Sequence, residues 1–261
     1  MRLIALIGLL AATMGGPIAQ AQTAPDQPQV GRPGCTDDVA VRASRTLVSF
    51  ESRGRPVQAH LYTPGGEPNG SGVVLLHGAR GLSADAATFD PHAIQLASRG
   101  YHVLVPNYYD AEPGRARRTG RDMRLWRGVA ADGASFLGGR PGMDPERVAL
   151  WGYSLGGFLA GETAMESDVA AAAVSVAGGL DVGEAGRGGR SVPLLLIHAR
   201  RDPVISPMST RRWGDGLQRR GGRVEVQALD WDGHGFDRPT WCAIFGRTRA
   251  FLDRALSERD A

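Results

Sequence analysis

Short apolar segments alternate with longer amphipathic ones along most of this chain. Segments 72–78 and 192–200 are dominated by leucine, isoleucine and valine, the composition of strands that are buried on both faces. Segments 87–100 and 208–222 have apolar residues at helical spacing and end in glycine, a common residue at helix C-termini. The alternation predicts a mainly parallel sheet with helices on both faces.

The full pattern predicts about eight strands and a helix after most of them. Two strands precede the first helix, so we expect an antiparallel hairpin at one edge of the sheet. The predicted strands span 45–52, 57–64, 72–78, 101–109, 147–154, 169–178, 192–200 and 224–230. The predicted helices span 87–100, 121–139, the small-residue stretch after Ser154, 208–222 and 240–259.

The first residues differ in composition from the rest of the chain. Arg2 is followed by an apolar run and then by a small-x-small cleavage site at 19–21, which predicts a signal peptide over residues 1–21. An uncleaved membrane anchor is the alternative. Residues 22–40 are predicted to form a flexible segment, and residues 41–261 one domain. We expect an exported protein, periplasmic or secreted, with no stable membrane span after removal of the signal peptide.

The chain has two cysteines, Cys35 and Cys242. Two thiols in an oxidising compartment usually pair, so we expect a disulfide between the N-terminal segment and the C-terminal region. The spacing of the cysteines matches no zinc motif, and no glycine loop of the phosphate-binding type is present. Neither a metal nor a cofactor is therefore expected.

All basic side chains are arginines, and the formal net charge is +3. No basic run is interleaved with aromatic residues, so the sequence does not predict nucleic-acid binding. Without lysine, arginine must cover the solvated faces, and we expect the arginine-rich segment 115–127 to be a surface patch; a cap over a functional site is the alternative. Its arginines are Arg115, Arg117, Arg118, Arg121, Arg124 and Arg127.

Three chemically complementary residues follow three of the predicted strands. Ser154 ends the strand in VALWGYS, Asp202 follows the strand in LLLIHARRD, and His234 follows the last strand in DWDGHGF. Functional groups gather at the carboxyl ends of parallel strands. A nucleophile, an acid and a base in this chain order form the arrangement of a serine hydrolase. Asp232 lies too close to His234 along the chain to be the preferred acid.

The chemistry requires each of these residue types. A serine hydroxyl becomes a nucleophile when an imidazole takes its proton, and an acid fixes the tautomer of that imidazole. The negative charge on the substrate oxygen needs fixed donors, for which we predict the backbone amides of Leu155 and Ala79. The sequence therefore predicts an oxyanion hole between the turn after segment 72–78 and the helix after Ser154.

The motifs GYSLGG, HGARGL, HARRDPVIS and DGHGF together resemble the dienelactone-hydrolase-like branch of the α/β-hydrolase superfamily, over about residues 45–257. The resemblance implies an α/β-hydrolase fold with little or no lid that acts on small esters or lactones. It gives Ser154 the role of nucleophile, Asp202 that of acid and His234 that of base.

Two positions depart from the family members that open dienelactone. Those members carry a cysteine nucleophile where this chain has Ser154, and a glutamate where it has Gly78. Both differences favour an ordinary serine esterase, acting through an acyl-enzyme, over an enzyme that opens dienelactone. A serine peptidase or acyltransferase on the same triad is the alternative among enzymes. A non-catalytic binding protein of the same fold is the alternative from another class.

Several other side chains follow predicted strand ends and are candidates for contact with a small-molecule substrate. An arginine there could bind a substrate carboxylate in a bidentate contact. The alternative for each candidate is an outward, solvated side chain, and the sequence leaves the oligomeric state open. The candidates are Arg80, Tyr108, Tyr109, Tyr153, Arg201 and Trp231.

Overall fold

Eight strands form a single sheet in the computed structural model, which describes residues 34–111 and 119–257 of the chain. The strands are β1 (Ala43–Ser52), β2 (Arg55–Pro64), β3 (Gly70–Leu76), β4 (His102–Pro106), β5 (Met143–Tyr153), β6 (Ala172–Val176), β7 (Pro193–Arg201) and β8 (Arg223–Asp232). The helices are α1 (Leu82–Ala97), α2 (Gly120–Gly138), α3 (Leu155–Glu166), α4 (Pro207–Arg219) and α5 (Arg238–Ser257).

The strand order across the sheet is β1-β2-β4-β3-β5-β6-β7-β8. β1 pairs antiparallel with β2, and β2 pairs antiparallel with β4. The pairs from β4 to β8 are parallel. The predicted edge hairpin and the mainly parallel sheet are therefore confirmed. Parallel pairing points the carboxyl ends of β3 to β8 to one edge of the sheet, the edge at which ligands usually bind in this architecture.

Helices cover both faces of the sheet, as predicted. Along β3, Val74 and Leu76 face a core shared with α2, α3 and α4, whereas Val73 and Leu75 face a second core shared with α1 and α5. Successive side chains of a strand point to opposite faces, so one apolar strand can serve both cores. This double burial explains the continuous apolar composition of the central strands.

Most element boundaries differ from the prediction by a few residues, and two elements begin four or more residues earlier than predicted. α1 begins at Leu82 and not at position 87. The prediction missed this start because the residue before the helix is Gly81, which has a φ of 91° and no capping side chain. A helix that starts without Ser, Thr, Asp or Asn at its N-cap lacks the sequence signal on which the prediction depends. β5 begins at Met143 and not at position 147, since Met143 already pairs with Gly70 of β3.

The predicted disulfide is present and links Cys35, before β1, to Cys242 in α5. It joins positions that are 207 residues apart in sequence. The predicted signal peptide, residues 22–33 of the predicted flexible segment, and Arg115, Arg117 and Arg118 lie outside the described residues. Within the described residues, no helix has the length and apolar character needed to cross a membrane.

Candidate active site

The carboxyl edge of the sheet brings together three residues that are far apart in sequence. Ser154 directly follows β5, Asp202 directly follows β7, and His234 lies in the loop after β8. His234 Nε2 lies 2.8 Å from Ser154 Oγ, and His234 Nδ1 lies 2.8 Å from Asp202 Oδ2. A carboxylate only accepts hydrogen bonds, so Nδ1 donates to Asp202 and the neutral ring keeps Nε2 as an acceptor for the serine hydroxyl.

Ser154 occupies a sharp turn between β5 and α3. Its φ is 55°, a region that residues with a side chain rarely adopt. The turn is tight because the start of α3 approaches two strand ends: a Cβ on Gly152 would lie 2.1 Å from the carbonyl oxygen of Gly156, and one on Gly156 would lie 2.2 Å from that of Leu76. Glycine at both positions is what permits this backbone path.

Asp202 is fixed by several donors. Its Oδ1 accepts hydrogen bonds from the amides of Val204 and Ile205, at 2.8 and 2.9 Å, while Oδ2 faces His234. Burial opposes ionisation of this carboxyl, but the hydrogen bonds from His234, Ile205 and Val204 outweigh it and lower the pKa of Asp202 below its usual value of 3.8. The side chain is therefore an ionised acceptor for the imidazole.

The two predicted oxyanion amides lie on neighbouring elements. Leu155 is the first residue of α3, where an amide has no acceptor within the helix. Ala79 lies in the turn that follows β3, and in the described part of the chain its amide donates to no other group. The close contact of Gly156 with Leu76 and His77 packs the start of α3 against this turn. Both N–H groups therefore remain available at the same edge of the sheet.

His77 and Tyr108 hold the start of that turn from beneath. The Nδ1 of His77 donates to the carbonyl oxygen of Gly78 at 2.8 Å, and this carbonyl belongs to the same peptide plane as the Ala79 amide. Burial lowers the pKa of His77 to about 4, so the ring is neutral at ordinary pH. The Tyr108 hydroxyl donates to the His77 carbonyl oxygen at 2.8 Å, and its ring stacks on the imidazole.

The prediction that Tyr108 lines the substrate pocket is wrong. The side chain has no exposed surface, since it packs between His77 and Trp126. The neighbouring Tyr109 is partly exposed, and its hydroxyl donates to the carbonyl oxygen of Ala79 at 2.9 Å. In a pair of adjacent tyrosines, the sequence does not indicate which ring turns inward.

Asp85 in α1 is a part of the site that sequence reasoning missed. Its side chain is buried, and its Oδ2 accepts the Gly78 amide at 2.6 Å. Its Oδ1 lies 3.3 Å from the guanidinium of Arg80, whose side chain is 76% exposed. The one sequence signal available was an acidic residue in the first turn of the helix after the HGARG turn, and this signal is also expected of any helix start.

The other side chains predicted to contact substrate lie in three different environments. Arg80 and Tyr109 line a cavity of about 530 Å³ on the outer side of the turn. Arg201 extends into solvent and forms an ion pair with Asp232 at 2.5 Å. Trp231 donates from Nε1 to the carbonyl oxygen of Gly235 at 2.8 Å, and so supports the loop that carries His234.

Tyr153 is buried beside His234. Its side chain is 8% exposed, its ring stacks on the imidazole, and its hydroxyl donates to the carbonyl oxygen of His234 at 2.9 Å. Burial, together with the charge of Asp85, raises the pKa of Tyr153 to about 12. The hydroxyl is therefore a neutral donor to the protein, and the predicted role in substrate contact does not describe its hydrogen bond.

The sequence and the fold were compared with those of known proteins. A profile of the dienelactone hydrolase family matches residues 57–242. No curated protein sequence gives a significant match. A crystal structure of a dienelactone hydrolase-like promiscuous phosphotriesterase from metagenomic libraries is similar, with a TM-score of 0.69 and 20% identity over 82% of this chain and 99% of that one.

Two solved peptidases share the fold over part of their length. The Pyrococcus horikoshii acylaminoacyl peptidase has a TM-score of 0.67 at 16% identity and covers 84% of this chain. The Mycobacterium tuberculosis puromycin-hydrolyzing peptidase has a TM-score of 0.61 at 22% identity and covers 82%. This chain spans 43% and 40% of those two proteins. At such identities, the likeness establishes the α/β-hydrolase fold.

Proposed function

The chain belongs to the dienelactone hydrolase family, and from this premise we propose that it is a hydrolase that cleaves small carboxylic esters or lactones through an acyl-enzyme. The observation that carries the proposal is the continuous hydrogen-bonded line from Ser154 Oγ through His234 to Asp202, with both bonds at 2.8 Å. This is the constellation that activates a serine hydroxyl for acyl transfer.

In the first half of the proposed reaction, Ser154 Oγ attacks the substrate carbonyl carbon while its proton moves to His234 Nε2. The oxygen of the tetrahedral intermediate carries the negative charge and accepts hydrogen bonds from the amides of Leu155 and Ala79. His234 then gives its proton to the departing alkoxyl oxygen as the ester bond breaks. The ionised Asp202 stabilises the imidazolium that exists between the two transfers.

In the second half, water attacks the acyl-enzyme carbonyl and gives a proton to His234. Collapse of the second tetrahedral intermediate releases the carboxylic acid and returns that proton to Ser154 Oγ. Every proton passes through the His234 imidazole, between Ser154, the substrate and water, and the enzyme returns to its starting state. The glycine turn around Ser154 supports both halves, because it exposes Oγ at the edge where Leu155 begins α3.

The proposal is tested by hydrolysis of nitrophenyl esters of increasing acyl length, with wild type, Ser154→Ala and Ser175→Ala. Ser175 is the matched control, since it is a buried serine next to the last residue of β6 and its hydroxyl has no hydrogen-bond partner among the described residues. We expect Ser154→Ala to lose roughly 10³-fold or more in kcat and Ser175→Ala to retain wild-type turnover. A wild type that hydrolyses no ester and takes up no organophosphonate would refute the proposal.

Peptide and phosphotriester substrates belong in the same panel. Similar structures are those of an acylaminoacyl peptidase and of a promiscuous phosphotriesterase. The same serine, imidazole and carboxylate can cleave an amide or transfer an acyl group. If an organophosphonate labels Ser154 but no ester is hydrolysed, the protein would instead be assigned as a peptidase or acyltransferase. Binding without labelling would favour the non-catalytic alternative.

We further propose that the protein is exported. The Cys35–Cys242 disulfide supports an oxidising compartment, and the sequence of residues 1–21 has the form of a signal peptide. Mass spectrometry of the protein recovered from periplasm or medium is expected to find Gln22 at the N-terminus. Recovery of the full chain from the cytoplasm, with two free thiols, would contradict export.

A further inference from the structure

The residue immediately before the proposed nucleophile contacts the proposed base directly. The Tyr153 hydroxyl donates to the main-chain carbonyl oxygen of His234 at 2.9 Å. The Tyr153 ring also lies against the imidazole, with ring centroids 5.4 Å apart and planes 28° from parallel. One side chain at the end of β5 therefore contacts both the backbone and the ring of His234.

Tyr153 is itself held in place by two other aromatic residues. Phe236 and Trp241 meet its ring edge-on, with centroids 6.2 and 5.4 Å away. The Tyr153 side chain is 8% exposed, so it has little freedom to leave this position. A hydroxyl on so restricted a ring can define where the His234 carbonyl lies.

The other hydrogen bonds to the main chain of the His234 loop are made at Gly233 and Gly235, the residues on either side of His234. The amide of Gly233 donates to the carbonyl oxygen of Arg201 at 2.7 Å, and Trp231 donates to that of Gly235 at 2.8 Å. Among the described residues, Tyr153 is the one donor to the carbonyl of His234. Loss of that donor would leave the residue that carries the imidazole without its own main-chain contact.

We propose that Tyr153 is a positioning residue for His234: its hydroxyl and ring hold the imidazole so that Nε2 stays at Ser154 and Nδ1 at Asp202. This inference rests on the proposed hydrolase function. It assigns Tyr153 a role in ordering the base, in place of the substrate contact expected from sequence. Since the burial of Tyr153 keeps its hydroxyl protonated, the donor persists throughout the working pH range.

The test compares Tyr153→Phe with Tyr101→Phe. Tyr101 is the matched control because its hydroxyl is also buried and donates to a single carboxylate, that of Asp253, at the opposite end of the sheet from Ser154. We expect Tyr153→Phe to lower kcat about tenfold with KM within twofold of wild type, and to slow phosphonate labelling of Ser154 by a similar factor. Tyr101→Phe is expected to lower the Tm alone.

A second readout does not require turnover. The ¹⁵N resonances of the His234 imidazole report whether Nδ1 and Nε2 keep their hydrogen bonds, and they are expected to shift and broaden in Tyr153→Phe but not in Tyr101→Phe. Unchanged resonances would overturn the inference even if no substrate were found. If wild type proves inactive on every ester while the resonances respond as expected, the proposed function fails and the positioning contact stands.

The kinetic outcomes separate the competing roles of Tyr153. A loss confined to KM would overturn the inference and return Tyr153 to substrate contact. Wild-type kcat, with a Tm loss equal to that of Tyr101→Phe, would reduce Tyr153 to a packing residue. Should Tyr153→Phe not fold, a chain with 4-aminophenylalanine at position 153, which keeps a donor there, must retain kcat within threefold; a larger loss overturns the inference.

Discussion

The imidazole of His234 is held by Asp202 and not by Asp232, which is much closer to it in sequence. His234 Nδ1 lies 2.8 Å from Asp202 Oδ2, whereas Asp232 forms an ion pair with Arg201. The Asp202 side chain is 1% exposed and that of Asp232 is 58% exposed. A buried carboxylate orders a ring far more strongly than a solvated one, because water does not compete for its oxygens.

Replacing Asp202 by asparagine is expected to lower kcat roughly 10³- to 10⁴-fold. The amide would donate to Nδ1, so that Nε2 would carry the proton and could no longer accept one from Ser154. Asp232→Asn is the matched control, with an expected change below threefold because its ion pair is exposed. Steady-state kinetics on one ester decide the matter. Equal losses in the two variants would contradict the assignment of Asp202.

Removal of the Tyr109 hydroxyl is expected to lower kcat about three- to tenfold with little change in KM. That hydroxyl fixes the carbonyl of Ala79 at 2.9 Å, one peptide beyond the proposed oxyanion amide. The measurement is kcat for Tyr109→Phe, together with the affinity of a boronic acid that mimics the tetrahedral intermediate. We expect both to fall by the same factor. Weaker substrate binding with unchanged kcat would instead make Tyr109 a substrate contact.

The mainly parallel sheet and the grouping of the candidate residues at strand ends could be predicted from the sequence, because both depend on the order of apolar segments along the chain. Buried parallel strands are apolar, and Ser154 and Asp202 each follow such a strand, whereas His234 follows the more polar edge strand β8. The supports of the site could not be predicted in this way. Asp85 and Gly78 meet through a single hydrogen bond between a helix and a turn, and no periodicity encodes that pairing.

Gly156→Ala is expected to lower the free energy of unfolding by about 3 kcal/mol or more. The added Cβ would lie 2.2 Å from the carbonyl oxygen of Leu76 and 2.4 Å from that of His77, and backbone atoms cannot yield as a flexible side chain does. Gly246→Ala in α5 is the matched control, since a Cβ there meets nothing within 4 Å. That control is expected to be neutral or to gain about 0.5–1 kcal/mol in urea denaturation. Similar losses in both would refute the close approach at Gly156.

His92 is expected to make the fold sensitive to acid. Burial lowers its pKa to about 4, and its Nδ1 has no hydrogen-bond partner among the described residues. Between pH 6.5 and 4 the unfolded chain binds a proton at this position that the folded chain does not, so stability falls as the pH falls. The ring stacks on Phe245, which makes phenylalanine a replacement of suitable shape.

We expect His92→Phe to reduce the loss of unfolding free energy between pH 7 and pH 5 by about 2 kcal/mol relative to wild type. Urea denaturation at the two pH values measures this difference. Turnover at pH 7 is expected to be unchanged, because His92 packs against α5 and does not contact Ser154. An identical pH slope in the two proteins would contradict the prediction.

Removal of the disulfide is expected to cost roughly 2–5 kcal/mol of stability. The bond closes a loop between positions 207 residues apart and joins the segment before β1 to α5. Denaturation of Cys35→Ala/Cys242→Ala is to be compared with that of wild type under reductant, and the two losses should agree. A thiol assay on oxidised, unfolded wild type should find no free thiol. Two titratable thiols would show that the bond does not form.

The backbone conformation at Ser154 sets the stability of the fold against the proposed catalytic activity. A φ of 55° disfavours serine by roughly 1–3 kcal/mol but is readily adopted by glycine. Selection for thermal stability alone should therefore favour glycine at this position and yield a more stable protein that lacks the proposed nucleophile. Engineering of this chain for thermal stability therefore has to measure turnover as well as stability, since one stabilising substitution removes the residue proposed to do the reaction.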